Sequence, residues 1–206
     1  MDLIPITLRP LELSAAQDGR LTAIFRPVLP HPDLPILHVE DNGIARCADG
    51  APYGPPYRTG ETLWVREDFW AGRGSPKPMK YIRHRAVLPG VPDSRETFIW
   101  TPAEEMPQWA CRLWFKVTKV DILTTRDITE EMAREALGYR CFPPKGINAN
   151  LSRFEATYLA GVAAAWESQE NAEGTYWDDN PQAFVFFLEA IPQPEGWPAV
   201  AAEAPA

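Results

Sequence analysis

Twenty-two of the 206 residues are proline. Proline lacks an amide hydrogen and fixes φ, so it ends helices and is confined to the edges of sheets. Spread along a chain of this size, it disfavours a bundle of long helices and favours short strands joined by structured loops. The clearest such unit is residues 52–67, Pro-Tyr-Gly-Pro-Pro-Tyr-Arg-Thr-Gly-Glu-Thr-Leu-Trp-Val-Arg-Glu. Its Pro/Gly-rich half reads as a loop that delivers a strand from Thr62 to Glu67. Side chains alternate along a strand, so Leu63 and Val65 share a core face and Thr62, Trp64 and Arg66 share the other. An indole beside a guanidinium suits stacking on a base and contact with an anion. The alternative is that Trp64 is packing and Arg66 pairs with a carboxylate.

The length suits one domain with elaborations or at most two small ones, and a hydrophobic share of 45% supports a sizeable core. No run of about 18 apolar residues predicts a membrane span. The first residues, Met-Asp-Leu-Ile-Pro, lack the basic and apolar regions of a secretory signal. Cys47, Cys111 and Cys141 are widely spaced and form no Cys-x-x-Cys, which points to reduced thiols in a cytoplasmic protein. His31, His38 and His84 make no metal-binding spacing with them, so neither a metal nor a cofactor is expected.

The net charge of −8 is unevenly placed. Residues 155–206 contain nine acids and no Lys or Arg, which leaves 20 basic and 19 acidic residues, a net of +1, in residues 1–154. Within that part Arg73, Lys77, Lys80, Arg83 and Arg85, with His84 and Tyr81 among them, form a run without an acid from Ala71 to Val91. Such a run can follow a phosphate backbone or simply solvate a hairpin.

Hydrophobic periodicity places a first strand over Ile4–Leu8 and a short helix over Leu11–Asp18 that stops at Gly19. Strands are expected over Leu21–Val28 and Ile36–Val39, and a strand pair over Lys80–Leu88 and Thr97–Trp100. A helical turn is expected at residues 102–106, and the longest strand at Trp109–Leu123. A helix capped by Asp127, with Glu130 at the reciprocal position, runs to about Leu137. A second helix starts at Ser152 and carries Phe154, Tyr158, Leu159, Val162 and Trp166 as a core stripe. The continuous apolar run Ala183–Leu188 reads as a central strand. Together these elements predict an α+β fold built on a small mixed or antiparallel barrel.

Four segments, in order, resemble phage and prophage ASCH-domain proteins. They are residues 52–67, the stretch Met-Pro-Gln-Trp-Ala-Cys-Arg-Leu at 106–113, Asp-Ile-Thr-Glu-Glu-Met-Ala-Arg at 127–134, and Trp-Asp-Asp-Asn-Pro at 177–181 before the Phe-rich strand. The resemblance implies a PUA-like β-barrel with flanking helices, a single domain over 1–191 with a helical insertion at about 127–170. Residues 192–206 are expected to be a disordered tail. It also implies recognition of RNA or nucleotides, with a few family members acting as ribonucleases or small amidohydrolases.

One segment departs from the family pattern. Where the family carries Gly-x-Lys-Thr-x-Thr-x-Arg, this chain has Gly-Arg-Leu-Thr-Ala-Ile-Phe-Arg at 19–26. Thr22 and Arg26 match, but Leu21 replaces the lysine, and an alkyl group cannot assist proton transfer. Arg20 keeps a charge nearby, with a pKa too high for a general base. The expected function is therefore a phage-type module without established catalysis that binds RNA, single-stranded DNA or a modified nucleotide. Its candidate binding residues are Arg20, Thr22, Arg26, Trp64, Arg66, Arg112 and Lys116. One alternative is an ASCH-type hydrolase, ribonuclease or N4-acylcytidine amidohydrolase, with Glu67 as candidate acid or base, Glu61 and Glu135 being further carboxylates, and Arg66 stabilising negative charge. The other is a phage interaction factor whose acidic C-terminal part contacts a protein partner.

Overall fold

A computed structural model describes residues 3–29, 34–41, 43–70, 83–84, 100–147, 151–168 and 171–196. The elements in chain order are β1 (Leu3–Thr7), α1 (Pro10–Gln17), β2 (Ala23–Pro27), β3 (Ile36–Val39), β4 (Ala45–Cys47) and β5 (Pro52–Tyr53). They continue with β6 (Thr62–Arg66), β7 (Phe69–Trp70), β8 (Arg83–His84), β9 (Trp114–Thr124), α2 (Glu130–Ala136), α3 (Tyr158–Glu167) and β10 (Gln182–Ile191). The protein is a mixed α+β structure.

Its main sheet has the order β1-β6-β9-β10-β2. β1 and β6 run parallel, and the other pairs are antiparallel. No hydrogen-bonded pairing joins edge strands β1 and β2 among the described residues, so the expected closed barrel is not formed there. Helix α1 links those edges, since it follows β1 and its Glu12 reaches across to Arg26 of β2. A three-stranded sheet β3-β4-β5 and the β7-β8 pair complete the pairing.

Burial follows the sequence pattern where the pattern is strong. β10 lies between β9 and β2, and Ala183, Phe184, Val185 and Phe186 are buried, as a central strand requires. In β9, Phe115 and Val117 are buried while Lys116 and Thr118 are exposed. The pairing register with β10 then shifts between Phe187 and Leu188, and the extra β9 residue lets Val120 return to the core.

Several boundaries differ from expectation. β9 starts at Trp114 rather than near Trp109, because residues 108–110 form a 3-10 turn after Pro107. Asp127 does not cap α2. Its carboxylate accepts from Thr124 N and Oγ1 at 2.9 and 2.7 Å, and Thr129 Oγ1 caps α2 by accepting from Met132 N. Glu130 caps a different helix, accepting the Tyr158 and Leu159 amides at the start of α3, both at 2.8 Å. That helix begins at Tyr158, not Ser152, so Phe154 is 91% exposed and lies outside the apolar stripe. Arg83 and His84 pair with Phe69 and Trp70. The rest of the basic run, the expected Thr97–Trp100 strand up to residue 99 and the tail beyond 196 lie outside the described residues. No described helix is long and apolar enough to cross a membrane.

Candidate anion-binding cleft

The site begins at the entrance to α1. Arg9 is the extended residue before the helix and Pro10 occupies its first turn, where a missing amide hydrogen costs nothing. Glu12, three residues after Arg9, turns back to accept the Arg9 amide at 2.9 Å, the reciprocal half of a capping box. This fold-back buries the carboxylate, which is 2% exposed. Arg26 neutralises it with a bidentate pair, Nη1 to Oε1 at 2.6 Å and Nη2 to Oε2 at 2.8 Å. Burial alone would push Glu12 toward protonation. The attraction and hydrogen bond of Arg26, aided by Arg9, outweigh burial and hold the carboxyl below its ordinary value. For Arg26 the balance is similar: burial disfavours its charge, and Glu12 more than restores it.

Arg9 is treated differently by its surroundings. Its side chain is 3% exposed, and its guanidinium lies 5.2 Å over the Trp166 ring of α3. Burial first, and then repulsion from Arg26, lower its pKa to about 10 despite attraction from Glu12 and Glu167. Trp166 is fixed in turn by donating Nε1 to the Thr175 carbonyl at 2.8 Å and by an edge-on contact with Trp177. Above these groups opens a cleft of about 420 Å³ lined by Arg9, Arg26, Tyr57, Asn171 and Thr175, with Pro27, Leu29, Gly54 and Pro56 at its sides. Tyr57 packs edge-on to Phe186 at 5.1 Å. Burial, foremost, raises the pKa of its hydroxyl, so that group is a neutral donor and acceptor at neutral pH.

Of the candidate binding and catalytic residues named from the sequence, Arg26 alone is among the described residues that line this cleft. Arg20 stacks 4.0 Å over the Tyr139 ring, pairs with Asp18 at 2.6 Å and donates to the Gly138 carbonyl. Thr22 donates to the Glu135 carbonyl at 2.6 Å. Both tie the start of β2 to the end of α2, and Thr22 lines a separate cavity of about 290 Å³ with Met132, Glu135 and Phe187. Lys116 is exposed on β9, opposite Thr62 and Glu189. Leu21 is a core residue.

Three expectations need correction. Trp64 offers no stacking face: it is 5% exposed and packed with Phe69, Met106, Ala110, Cys111 and Trp114 in a second core beneath β6. Glu67 is 1% exposed, and its Oε1 and Oε2 accept Arg112 Nη2 and Nε at 3.0 Å each, with Gln17 also donating to Oε1. It is a buried structural ion pair, not a free acid or base, and Arg112 is spent on it. Arg66 donates to Thr7 Oγ1 at 3.2 Å and lines a hollow of about 140 Å³ beside Glu67 and Asp68, apart from the main cleft. Glu61, the other nearby carboxylate, closes a turn by accepting the Arg58 amide.

Arg9, Glu12, Asn171 and Thr175 went unnoticed in the sequence, and Tyr57 was read only as part of the loop that delivers β6. The Arg-Pro-Leu-Glu pattern at 9–12 does mark a helix start. Nothing local signals that Arg9 lies over Trp166. Among the described residues, no group of three or more His, Cys, Asp or Glu side chains is placed to hold a metal. Comparisons with protein-family models, curated proteins and solved structures give no match to this chain.

Proposed function

We propose that this chain is an ASCH-type, PUA-like module that binds a nucleic acid or nucleotide and performs no chemistry on it. The observation that carries the reading is the cleft in which two guanidiniums, Arg9 and Arg26, share a wall with Tyr57. Guanidiniums recognise phosphate through paired N–H donors, and an aromatic ring beside them suits the organic part of the same ligand. The family motif contributes Arg26 to this cleft, and the chain's own Arg9 adds the second cation. The hydrolase alternative has less support, because both oxygens of Glu67 are engaged and the lysine position is the buried Leu21.

The test is binding of labelled RNA, single-stranded DNA and nucleotides at low and high salt. At least one is expected to bind at low salt and weaken as salt rises. The variant Tyr57→Leu, which keeps an apolar side chain against Phe186 but removes the ring from the cleft wall, is expected to weaken that binding. If none of the three binds at low salt, the reading fails.

A further inference from the structure

We propose that the occupant of the cleft is a single phosphate monoester of mononucleotide size, held through its phosphate by Arg9, rather than a nucleic-acid backbone. This rests on the nucleotide reading above and narrows it. The reason is an imbalance between the two guanidiniums. Arg26 is already committed, with both Nη atoms on Glu12 and Nη1 also on the Phe25 carbonyl at 2.9 Å. Arg9 carries five N–H donors. Its guanidinium donates no hydrogen bond to any described residue, and its Nε is buried without an acceptor. Glu167 attracts it from a distance, but the Glu167 oxygens are engaged by the Trp177 amide at 2.6 Å and Asn171 Nδ2 at 3.1 Å.

A buried guanidinium with no acceptor is costly, and an anion entering the cleft removes that cost. A phosphate suits it better than a carboxylate would, since it brings more acceptor oxygens and, as a monoester, up to two negative charges to the guanidinium. Asn171 uses its amide nitrogen on the Trp166 carbonyl and Glu167, so its amide oxygen remains an acceptor for a ribose hydroxyl or base edge. Pro27, Pro56 and Leu29 supply apolar wall. About 420 Å³ lies within the usual range for a small-molecule site.

Polymer binding requires something different. A backbone is followed by several cations in a row. Among the described residues, Arg9 is the one arginine lining this cleft without an acceptor, while Arg20, Arg112 and Lys116 lie away from it. The chain's net charge of −8 repels a long polyanion but opposes a single phosphate much less.

The test is calorimetric titration of the full chain at low salt. The ligands are uridine 5′-monophosphate, uridine, inorganic phosphate and an oligouridylate lacking terminal phosphates. The monophosphate is expected to bind at least about tenfold tighter than uridine, phosphate or the oligonucleotide. Its affinity should fall as pH drops from 7 to 5, because a phosphate monoester loses its second charge near pH 6. Uridine binding should stay flat over that range. Arg9→Met, which keeps the bulk over Trp166, should weaken monophosphate binding about tenfold to a hundredfold, to the uridine level. Arg9→Lys should fall between. If Arg9→Met does not fold, the wild-type ligand comparison and pH profile still decide. Monophosphate binding no tighter than uridine, or unchanged in Arg9→Met, overturns the proposal. Inorganic phosphate binding as tightly as the monophosphate also overturns it. An oligonucleotide that binds tightly and ignores Arg9→Met would overturn this inference yet leave the nucleic-acid reading standing. Failure of every ligand would end both.

Discussion

Replacing Arg26 by methionine isolates the energetics on which the cleft is built. The change leaves Glu12 at 2% exposure, facing an alkyl chain where two charge-assisted hydrogen bonds of 2.6 and 2.8 Å had been. Only the Arg9 amide at 2.9 Å and the Arg9 charge remain to stabilise it. Removing one partner of a buried pair costs about 3–5 kcal/mol, most of it the penalty of the orphaned charge. A chain of this length shifts its midpoint by about 2–4 °C per kcal/mol, so thermal unfolding at pH 7 should fall by about 6–20 °C. Glu12→Gln/Arg26→Met removes the charge but keeps a side-chain oxygen for the Arg9 amide. It should lose less than half as much as the single variant.

The pH dependence gives a second reading of the same pair. In the wild type Glu12 titrates below its ordinary value, so its contribution is complete above the unfolded pKa of about 4.3 and is lost as pH falls through the lower, folded value. Without Arg26, burial dominates and the folded pKa of Glu12 rises above the unfolded one. The variant then gains on acidification, because protonation relieves the buried charge. The stability gap between wild type and Arg26→Met should therefore narrow from pH 7 to pH 4. Urea unfolding at both pH values measures it. A single variant within 1 kcal/mol of wild type, a double variant no better than the single, or a gap that widens in acid would refute the reasoning.

The corrected role of Trp64 predicts that Trp64→Ala costs about 3–5 kcal/mol of stability through the cavity it leaves among Phe69, Met106 and Trp114. Its ligand affinity, measured per folded molecule, should be unchanged; binding lost at full stability would restore the stacking role. Gly161→Ala would ordinarily favour a helix by about 1 kcal/mol. Here a Cβ would fall against the Tyr139 carbonyl oxygen, so the expected outcome in urea unfolding is a net loss of about 1–3 kcal/mol.

What the sequence made legible, and what it did not, divides by the range of the interaction. The central strand β10 and the Leu63/Val65 core face were readable because apolar runs and period-two alternation are local properties. The same alternation correctly put Trp64 on the opposite face, yet a strand pattern does not say what covers that face. Met106, Ala110 and Trp114 cover it, and they come from residues about 40–50 positions later. The starts of α1 and α2 were readable to within a turn, whereas α3 begins six residues after its expected start at Ser152. The caps were exchanged: Glu130, apt for its own helix by spacing, is drawn to the amides of α3 by tertiary packing. The cleft is the extreme case. Its cation is at position 9, the indole beneath it at 166 and the amide beside it at 171, so no window along the chain contains the site. Arg9 and Arg26 are the same residue type and line the same cleft. They differ because Glu12, placed by the turn that starts α1, can take a bidentate partner from only one of them. The geometry of one helix start thus decides which guanidinium is structural and which remains open to an anion.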